Sequence, residues 1–201
     1  MNPLRQALVE RGNEINWVPS YMQARYSSWV GGLNGDWLIS RQRFFGVPIP
    51  LWYSLDSEGE PIYESPIAPD PASLPIDPQA EAAPGYNEAQ RDRPGGFTGA
   101  TSSLTPQIAT GWRTDEALHA ATFPMDLRPQ AHDIIRTWLF STVVRAHFDA
   151  NTVPWRNAAL SGWILDPDRK KMSKSKGNVV TPMDLFETYG TDAVRYWAGS
   201  A

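Results

Sequence analysis

The order of elements predicted over residues 132–201 constrains the fold more than any other feature. Apolar side chains recur at helical spacing over 134–146, which predicts a helix with one buried face. The segment at 157–165 is apolar and short, as a buried strand of a parallel sheet is. A basic loop at 168–178 and one or two helices over 181–200 follow. Helix, strand, loop and helix are half of a βαβ unit, so we predict an α/β fold with a partial parallel sheet.

Two predicted helix starts carry residues that commonly cap helices. Asp133 or His132 is the predicted cap of the helix over 134–146, because a side-chain acceptor at this place, a carboxylate oxygen or an imidazole nitrogen, accepts a bond from the first helical amides. Thr181 is the predicted N-cap of the later helix, with Pro182 at the first helical position.

Composition divides the chain into three parts. Residues 1–53 are rich in aromatics and contain the strand-like runs WLIS at 37–40 and IPLWY at 49–53. Residues 54–131 hold 11 of the 18 prolines, whereas residues 132–201 show the regular pattern described above. We therefore predict a folded first part, a long Pro-rich insertion and a regular last part.

The middle part is also strongly acidic. Nine acidic residues and a single basic one lie between Asp56 and Asp92. Proline and glycine interrupt long helices, and a like-charge excess keeps a segment solvated. We predict an irregular insertion over 54–131, with a short hairpin around DSEGE at 56–60.

Several classes of protein are disfavoured by composition. The formal charge is −4, so the chain as a whole is not a polybasic protein that binds nucleic acid by phosphate attraction alone. The absence of Cys excludes disulfides, a thiolate zinc site and a cysteine nucleophile. The three histidines are too scattered to predict a metal site. No apolar window approaches the ~20 residues of a membrane span, and the start lacks a signal-like apolar run, so we predict a soluble, cytoplasmic protein without membrane contact.

The basic loop is the candidate site. Five of the 18 basic residues lie within 168–178, namely Arg169, Lys170, Lys171, Lys174 and Lys176. A solvated loop that keeps the surface soluble is one interpretation. However, this loop follows a predicted buried strand and contains Ser173, Ser175, Gly177 and Asn178, small residues that let a backbone approach a ligand and that offer hydroxyl and amide donors. Because ligands of doubly wound sheets lie beyond the carboxyl ends of the strands, we predict contact with nucleotide phosphates.

Two segments resemble one enzyme family. KMSKSKGNVV at 171–180 resembles the KMSKS signature of class I aminoacyl-tRNA synthetases, and residues 36–53 resemble the segment by which large editing members re-enter their catalytic domain. Within the family, residues 39–46, 132–138 and 178–197 are most similar to the valine-activating members, with isoleucine-activating members second. The resemblance implies a Rossmann-like sheet and an ATP-dependent ligase.

The resemblance also implies roles for the loop. In such enzymes it closes on ATP, which arrives with Mg²⁺, while the amino-acid carboxylate attacks the α-phosphorus to give an aminoacyl-adenylate and pyrophosphate. The acyl group then passes to tRNA, here valine-accepting tRNA. Lys174 would be the main phosphate-binding lysine and Lys171 would assist it as the second catalytic residue. The ATP-binding set would be Lys171, Met172, Ser173, Lys174 and Ser175.

The same resemblance implies an amino-acid site. Phe45 and Trp138 would form the walls of the side-chain pocket, and Asp133 would face the α-ammonium group of the substrate. Each has a structural alternative: both aromatics are typical of a core, and Asp133 at a helix start is typical of a cap. No metal ligand is predicted in the protein.

Three departures from the family pattern lead us to predict a fragment. The His-Ile-Gly-His signature is absent, no Asp-Thr-Trp element precedes Ser102 and Ser103, and no helical anticodon-binding domain follows. We predict the carboxyl-terminal half of a valine-activating catalytic domain, which alone makes no valyl-adenylate. The alternatives are an isoleucine-activating fragment and a non-catalytic module that binds nucleotide, tRNA or a partner protein.

Overall fold

The structure, a computed structural model, describes residues 3–35, 47–78, 90–91, 101–166 and 168–200. Helices and strands follow one another along these ranges, with short 3₁₀ turns between them. In chain order they are α1 (Pro3–Glu14), β1 (Asn16–Val18), α2 (Gln23–Gly32), β2 (Trp52–Leu55), β3 (Pro61–Ile67), β4 (Gln90–Arg91), α3 (Thr105–Ala109), α4 (Glu116–Thr122), β5 (Met125–Ala131), α5 (Phe140–Ala150), β6 (Trp155–Ser161), α6 (Met183–Tyr189) and α7 (Thr191–Gly199).

A parallel sheet of three strands lies at the centre of the fold. Strand β6 is in the middle, and β1 and β5 pair with it on either side, both parallel to it. Ala158 of β6 is in register with Trp17 of β1 and with Arg128 of β5. The predicted α/β class and buried parallel strand are confirmed. The strand ends at Ser161 rather than at 165, so the residues after it leave the sheet.

The core forms where α1, α2 and α5 cover this sheet. Tyr26 of α2 is fully buried, and its hydroxyl donates to the backbone oxygen of Leu8 at 2.9 Å. The indole of Trp17 donates to the backbone oxygen of Gly12 at 2.8 Å. Burial raises the pKa of Tyr26. The buried cluster comprises Leu8, Ile15, Trp17, Met22, Tyr26, Val30, Ile135, Leu139, Val143, Val153, Trp155, Ala158 and Leu160.

The helix predicted over 134–146 is present, but it begins irregularly. A 3₁₀ turn at His132–Ile134 leads into a π-helical turn at Ile135–Leu139 and then into α5. The predicted buried face is confirmed, since Ile135, Leu139, Val143 and Ala146 are all buried. The predicted cap is wrong, because Ala131 holds the N-cap position without a side-chain bond.

The irregular Pro-rich insertion over 54–131 is not confirmed. Strands β2 and β3 form an antiparallel pair joined through residues 56–60, which is the hairpin that the sequence predicts, and β4 pairs with the other side of β2. Two helices, α3 and α4, follow. Strand β5 at 125–131 belongs to the central sheet, so the prediction that the irregular insertion extends to residue 131 is wrong. The three-part division of the chain remains a prediction.

Helices α6 and α7 close the described chain. Pro182 rather than Thr181 occupies the N-cap position of α6, without a side-chain bond, so the predicted Thr181 cap is wrong. The first part's run at 37–40 lies outside the described residues, and IPLWY at 49–53 leads into β2. No helix within the described ranges is both long and apolar enough to span a membrane.

Candidate functional site

The site lies where β5 and β6 end side by side. Both strands run in the same direction, so their carboxyl ends, Ala131 and Ser161, are in register at one edge of the sheet. Asp133 follows β5 by two residues, and Trp163 follows β6 by two residues. The basic loop then returns toward this edge, where Leu165 and Lys171 form an isolated antiparallel bridge. Ligand sites of parallel sheets form at such edges.

Two side chains fix the base of the loop. Asp166 accepts the backbone N–H of Lys170 at 2.7 Å and the side-chain amide of Asn178 at 2.7 Å. The same amide donates to the backbone oxygen of Lys171 at 3.2 Å, and its oxygen accepts the N–H of Ser173 at 3.0 Å. The bond from Lys170, then the bond from Asn178, lower the pKa of Asp166. We call Asp166 and Asn178 the loop clasp.

Beyond the loop clasp, Lys174 and Lys176 of the basic loop face solvent. Residues 174–176 form a 3₁₀ turn that ends at Gly177, whose φ of 67° is a conformation that favours glycine. Lys174 and Lys176 are exposed, and neither forms an ion pair or side-chain hydrogen bond with any residue that the structure describes. Their ammonium groups are therefore available to an anion.

Of three further residues in the predicted ATP-binding set, Met172 and Ser173 are half-buried and Ser175 is exposed. The hydroxyls of Ser173 and Ser175 are 3.3 Å apart. The sulfur of Met172 accepts the backbone N–H of Val180 at 3.3 Å. Met172 thus packs the loop against the chain that leaves it, while the two hydroxyls lie together beside Lys174.

Lys171 and Asp133, predicted separately from sequence, meet in the structure. Lys171 Nζ lies 3.3 Å from Asp133 Oδ2 and 4.1 Å from the ring centroid of Trp163. Burial acts to raise the pKa of Asp133, but the bond and charge of Lys171 and the indole of Trp163 outweigh it, so the pKa lies below its usual value. Asp133 is therefore an ionised carboxylate at neutral pH, able to bind an ammonium group.

Trp138 makes a separate set of contacts. Its indole donates to the backbone oxygen of Ser102 at 2.9 Å, and its ring stacks on Trp155 with centroids 5.4 Å apart. The Arg128 guanidinium lies over the same ring at 3.8 Å, and burial lowers the pKa of Arg128. Trp138 is thus fixed and partly buried, and it is not among the residues that line the cleft beside Asp133. Phe45 lies outside the described residues.

An open cleft adjoins the carboxylate of Asp133. It has a volume of about 540 Å³. Its lining combines the end of α2 with the π-helical turn: Trp29, Gly32, Leu33, Asn34, Gly35, Asp133, Arg136 and Thr137. No group of three or more metal-ligating side chains occurs within the ranges that the structure describes.

The sequence predictions missed two residues of this site, Trp163 and Asp166, and they did not predict the bond between Asp166 and Asn178. Trp163 lies in a run that resembles a continuous strand, so its departure from the sheet carries no signal. Asp166 precedes the basic loop, and the signal that could have identified it is its residue type, because Asp and Asn commonly bond nearby backbone amides.

The fold is shared with parts of two solved aminoacyl-tRNA synthetases. Mycobacterium tuberculosis methionyl-tRNA synthetase bound by methionyl-adenylate matches with a TM-score of 0.61 at 22% identity, covering 96% of this chain and 30% of that one. The ternary complex of Agrobacterium radiobacter K84 LeuRS with tRNA and LeuAMS matches with a TM-score of 0.56 at 24% identity, covering 80% and 23%. The chain belongs to the tRNA synthetases class I (I, L, M and V), whose family model matches residues 1–68 and 98–201.

Two relatives with high identity to this chain are both valine--tRNA ligases. The chain is 65% identical over 205 residues to the valine--tRNA ligase of Thermobifida fusca, covering 98% of this chain and 23% of that protein. It is 64% identical to the valine--tRNA ligase of Salinispora tropica, covering 98% and 24%. The chain therefore spans about a quarter of the length of these relatives.

Proposed function

We propose that this chain contributes the KMSKS side of the catalytic site of a valine--tRNA ligase. The observation that carries the proposal is the meeting of Lys171 and Asp133, 3.3 Å apart, at the carboxyl edge of the parallel sheet. It joins a cation suited to phosphates with a carboxylate suited to an ammonium group. The high identity to valine--tRNA ligases supports valine as the amino acid.

The proposed reaction activates valine with ATP. A carboxylate oxygen of valine attacks the α-phosphorus of ATP, the bond to the β-phosphate oxygen breaks, and valyl-adenylate and pyrophosphate form. A hydroxyl of the terminal ribose of valine-accepting tRNA then attacks the acyl carbon and releases AMP. No covalent bond to the protein forms, so the protein acts by positioning and electrostatics.

The loop lysines act on the phosphates. Lys174 is exposed on a turn anchored by the loop clasp, and there it faces the negative charge that grows on the leaving pyrophosphate. Lys171 assists from the base of the loop, and Met172, Ser173 and Ser175 shape the same ATP contact. Positive charge that meets developing negative charge stabilises the transition state more than the ground state. Mg²⁺ enters with ATP as part of the substrate.

The amino-acid side of the site begins at Asp133. Its carboxylate receives the α-ammonium of valine, and Trp138, fixed by stacking on Trp155, forms one wall of the side-chain pocket. Phe45 completes the pocket in this proposal. An apolar wall discriminates a single methylene by only about 1–3 kcal/mol, so the choice of valine over isoleucine depends on how closely the walls fit.

A matched pair of lysine variants tests the proposal. The chain replaces the corresponding 205 residues of the Thermobifida fusca relative, which gives a chimeric ligase of full length. We measure ATP–pyrophosphate exchange with valine and isoleucine side by side. Lys174→Ala loses at least about tenfold in exchange rate, whereas Lys176→Ala, on the same turn, changes it less than about threefold. Exchange driven only by isoleucine, or equal loss in both variants, contradicts the proposal.

A further inference from the structure

Trp163 lies at the centre of the site, and the proposed chemistry assigns it no part. Its ring centroid is 4.1 Å from Lys171 Nζ and 4.5 Å from the ring centroid of His132. It lies two residues after the end of β6 and is 37% exposed, so one part of the indole is packed while another faces the loop. The ring therefore connects the end of β6, the start of the helix after β5 and the basic loop.

Lys171 has two partners of different kinds. Its ion pair with Asp133 joins side chains that are 48% and 37% exposed, and pairs this exposed hold a flexible lysine weakly. The face of Trp163 supplies a second attraction, because an ammonium is drawn to the negative face of an aromatic ring. His132 packs against the same indole and limits its rotation. Lys171 is thus held by one partner that carries charge and one that does not.

When an amino acid binds, Asp133 is needed by the substrate and Trp163 is not. This step rests on the function proposed above. Asp133 is the carboxylate assigned to the α-ammonium of valine, so the substrate and Lys171 compete for it. Once the substrate takes the carboxylate, Trp163 is the side-chain partner that Lys171 keeps among the residues that the structure describes. Without the ring, the freed side chain would spread over its many rotamers in solvent.

We propose that Trp163 is a positioning residue for Lys171. Its ring retains the ammonium at the carboxyl edge of the sheet after Asp133 has exchanged Lys171 for the amino acid. The lysine is then in place for the phosphates of ATP, and it leaves Asp133 most readily when both substrates are present. Binding of valine and binding of ATP therefore favour each other, since coupling between two ligands is reciprocal.

Two variants in the chimeric ligase separate the ring's electrostatics from its volume. Trp163→Phe keeps an aromatic face, whereas Trp163→Leu keeps an apolar side chain without one. Both variants lose the indole N–H that bonds Asp133, so they are compared with each other: we expect the kcat of valine-dependent exchange to be about tenfold lower in Trp163→Leu than in Trp163→Phe, with the same KM for valine in the two. Trp197→Leu on α7, also an exposed tryptophan, is the control and leaves the rate unchanged.

Lysine labelling in the 201-residue chain reads the contact without activity. Acetic anhydride modifies accessible amines, and mass spectrometry measures Lys171 against Lys176 as an internal reference. We expect Lys171 to be acetylated several-fold faster in Trp163→Leu than in Trp163→Phe. Equal labelling of Lys171 in the two variants overturns the contact, and equal exchange rates overturn the positioning role. A parent chimera without exchange overturns the proposed function instead, and labelling still decides the contact.

Discussion

Gly12 illustrates how a single atom limits the packing of α1 on α2. A Cβ at this position would lie 2.5 and 2.6 Å from two ring carbons of Tyr26. The ring has no room to move, since Tyr26 is fully buried and its hydroxyl is bonded to Leu8. The glycine is therefore required by close approach of the two helices, although glycine is otherwise unfavourable inside a helix.

Replacing Gly12 and Gly31 by alanine gives opposite results. Gly12→Ala lowers the free energy of unfolding by about 1–3 kcal/mol, because overpacking outweighs the better helix propensity of alanine. Gly31→Ala in α2 meets no atom within 4 Å and raises the free energy of unfolding by about 0.5–1 kcal/mol. Urea denaturation of each variant measures both changes. A stabilised Gly12→Ala would show that the helices do not pack this closely.

At the scale of elements, the sequence predicts well those helices and strands that leave a local pattern of apolar residues. Helical spacing of apolar residues and a short apolar run predict α5 and β6, because burial of one helix face and of a central strand leaves a periodic trace. Strand β5 leaves none: MDLRPQA contains Asp126, Arg128 and Pro129, and only one of its seven residues is buried. It pairs only with β6 among the described strands, and a proline is tolerated at such an edge.

Tertiary contacts explain the elements and site residues that the pattern did not predict. Asp133 at a helix start predicts a cap, yet its carboxylate turns to Lys171, 38 positions further along the chain. That choice depends on two strands ending side by side, which no local window contains. The joining of Asp133, Lys171 and Trp163 follows from the same topology, whereas the KMSKS motif itself is visible in sequence.

The loop clasp predicts an acid-sensitive loop. The pKa of Asp166 is lowered in the folded chain, first by the Lys170 amide and then by Asn178, so the clasp is fully formed above about 3.9, the ordinary pKa of an aspartate. It is lost as pH falls through the lower, folded pKa. We expect the NMR shift of the Asn178 side-chain amide to titrate with a midpoint below about 3.9.

The control for this titration is Asp166→Asn. Its side chain has one acceptor oxygen in place of two, so it accepts from Lys170 or from Asn178 but not from both, and it has no group that ionises in this range, so the titration disappears. A midpoint at or above the ordinary aspartate value in the parent would contradict the bonding described here, as would an unchanged titration in the variant.

At the scale of the whole molecule, stability and chemistry lie in different places. The core is enclosed by the central sheet and by α1, α2 and α5, while the site occupies loops beyond the carboxyl ends of β5 and β6. The hairpin of β2 and β3 belongs to a second sheet that shares no described strand with the first. We therefore expect a change in the basic loop to lower the rate of exchange, and a change in the hairpin turn to leave this rate nearly unchanged.

Insertion of Gly-Ser-Gly-Ser into two exposed turns tests this separation in the chimeric ligase. An insertion between Glu58 and Gly59 lengthens the hairpin turn, and one between Arg169 and Lys170 lengthens the basic loop. Both turns are exposed, and longer loops cost little closure entropy, so each insertion changes the free energy of unfolding by less than about 1 kcal/mol. Their effects on valine-dependent exchange differ.

The insertion before Lys170 separates the backbone amide of Lys170 from Asp166, and it moves Lys171 relative to Asp133 and Trp163. We expect the rate of exchange to fall at least about tenfold, because a misplacement of about 1 Å already lowers a catalytic rate by a large factor. The hairpin insertion leaves those contacts intact, and exchange stays within about twofold of the parent, because turn tips tolerate added residues. Calorimetry and exchange kinetics on the same preparations measure both quantities. A large loss of exchange from the hairpin insertion would mean that the second sheet takes part in the chemistry.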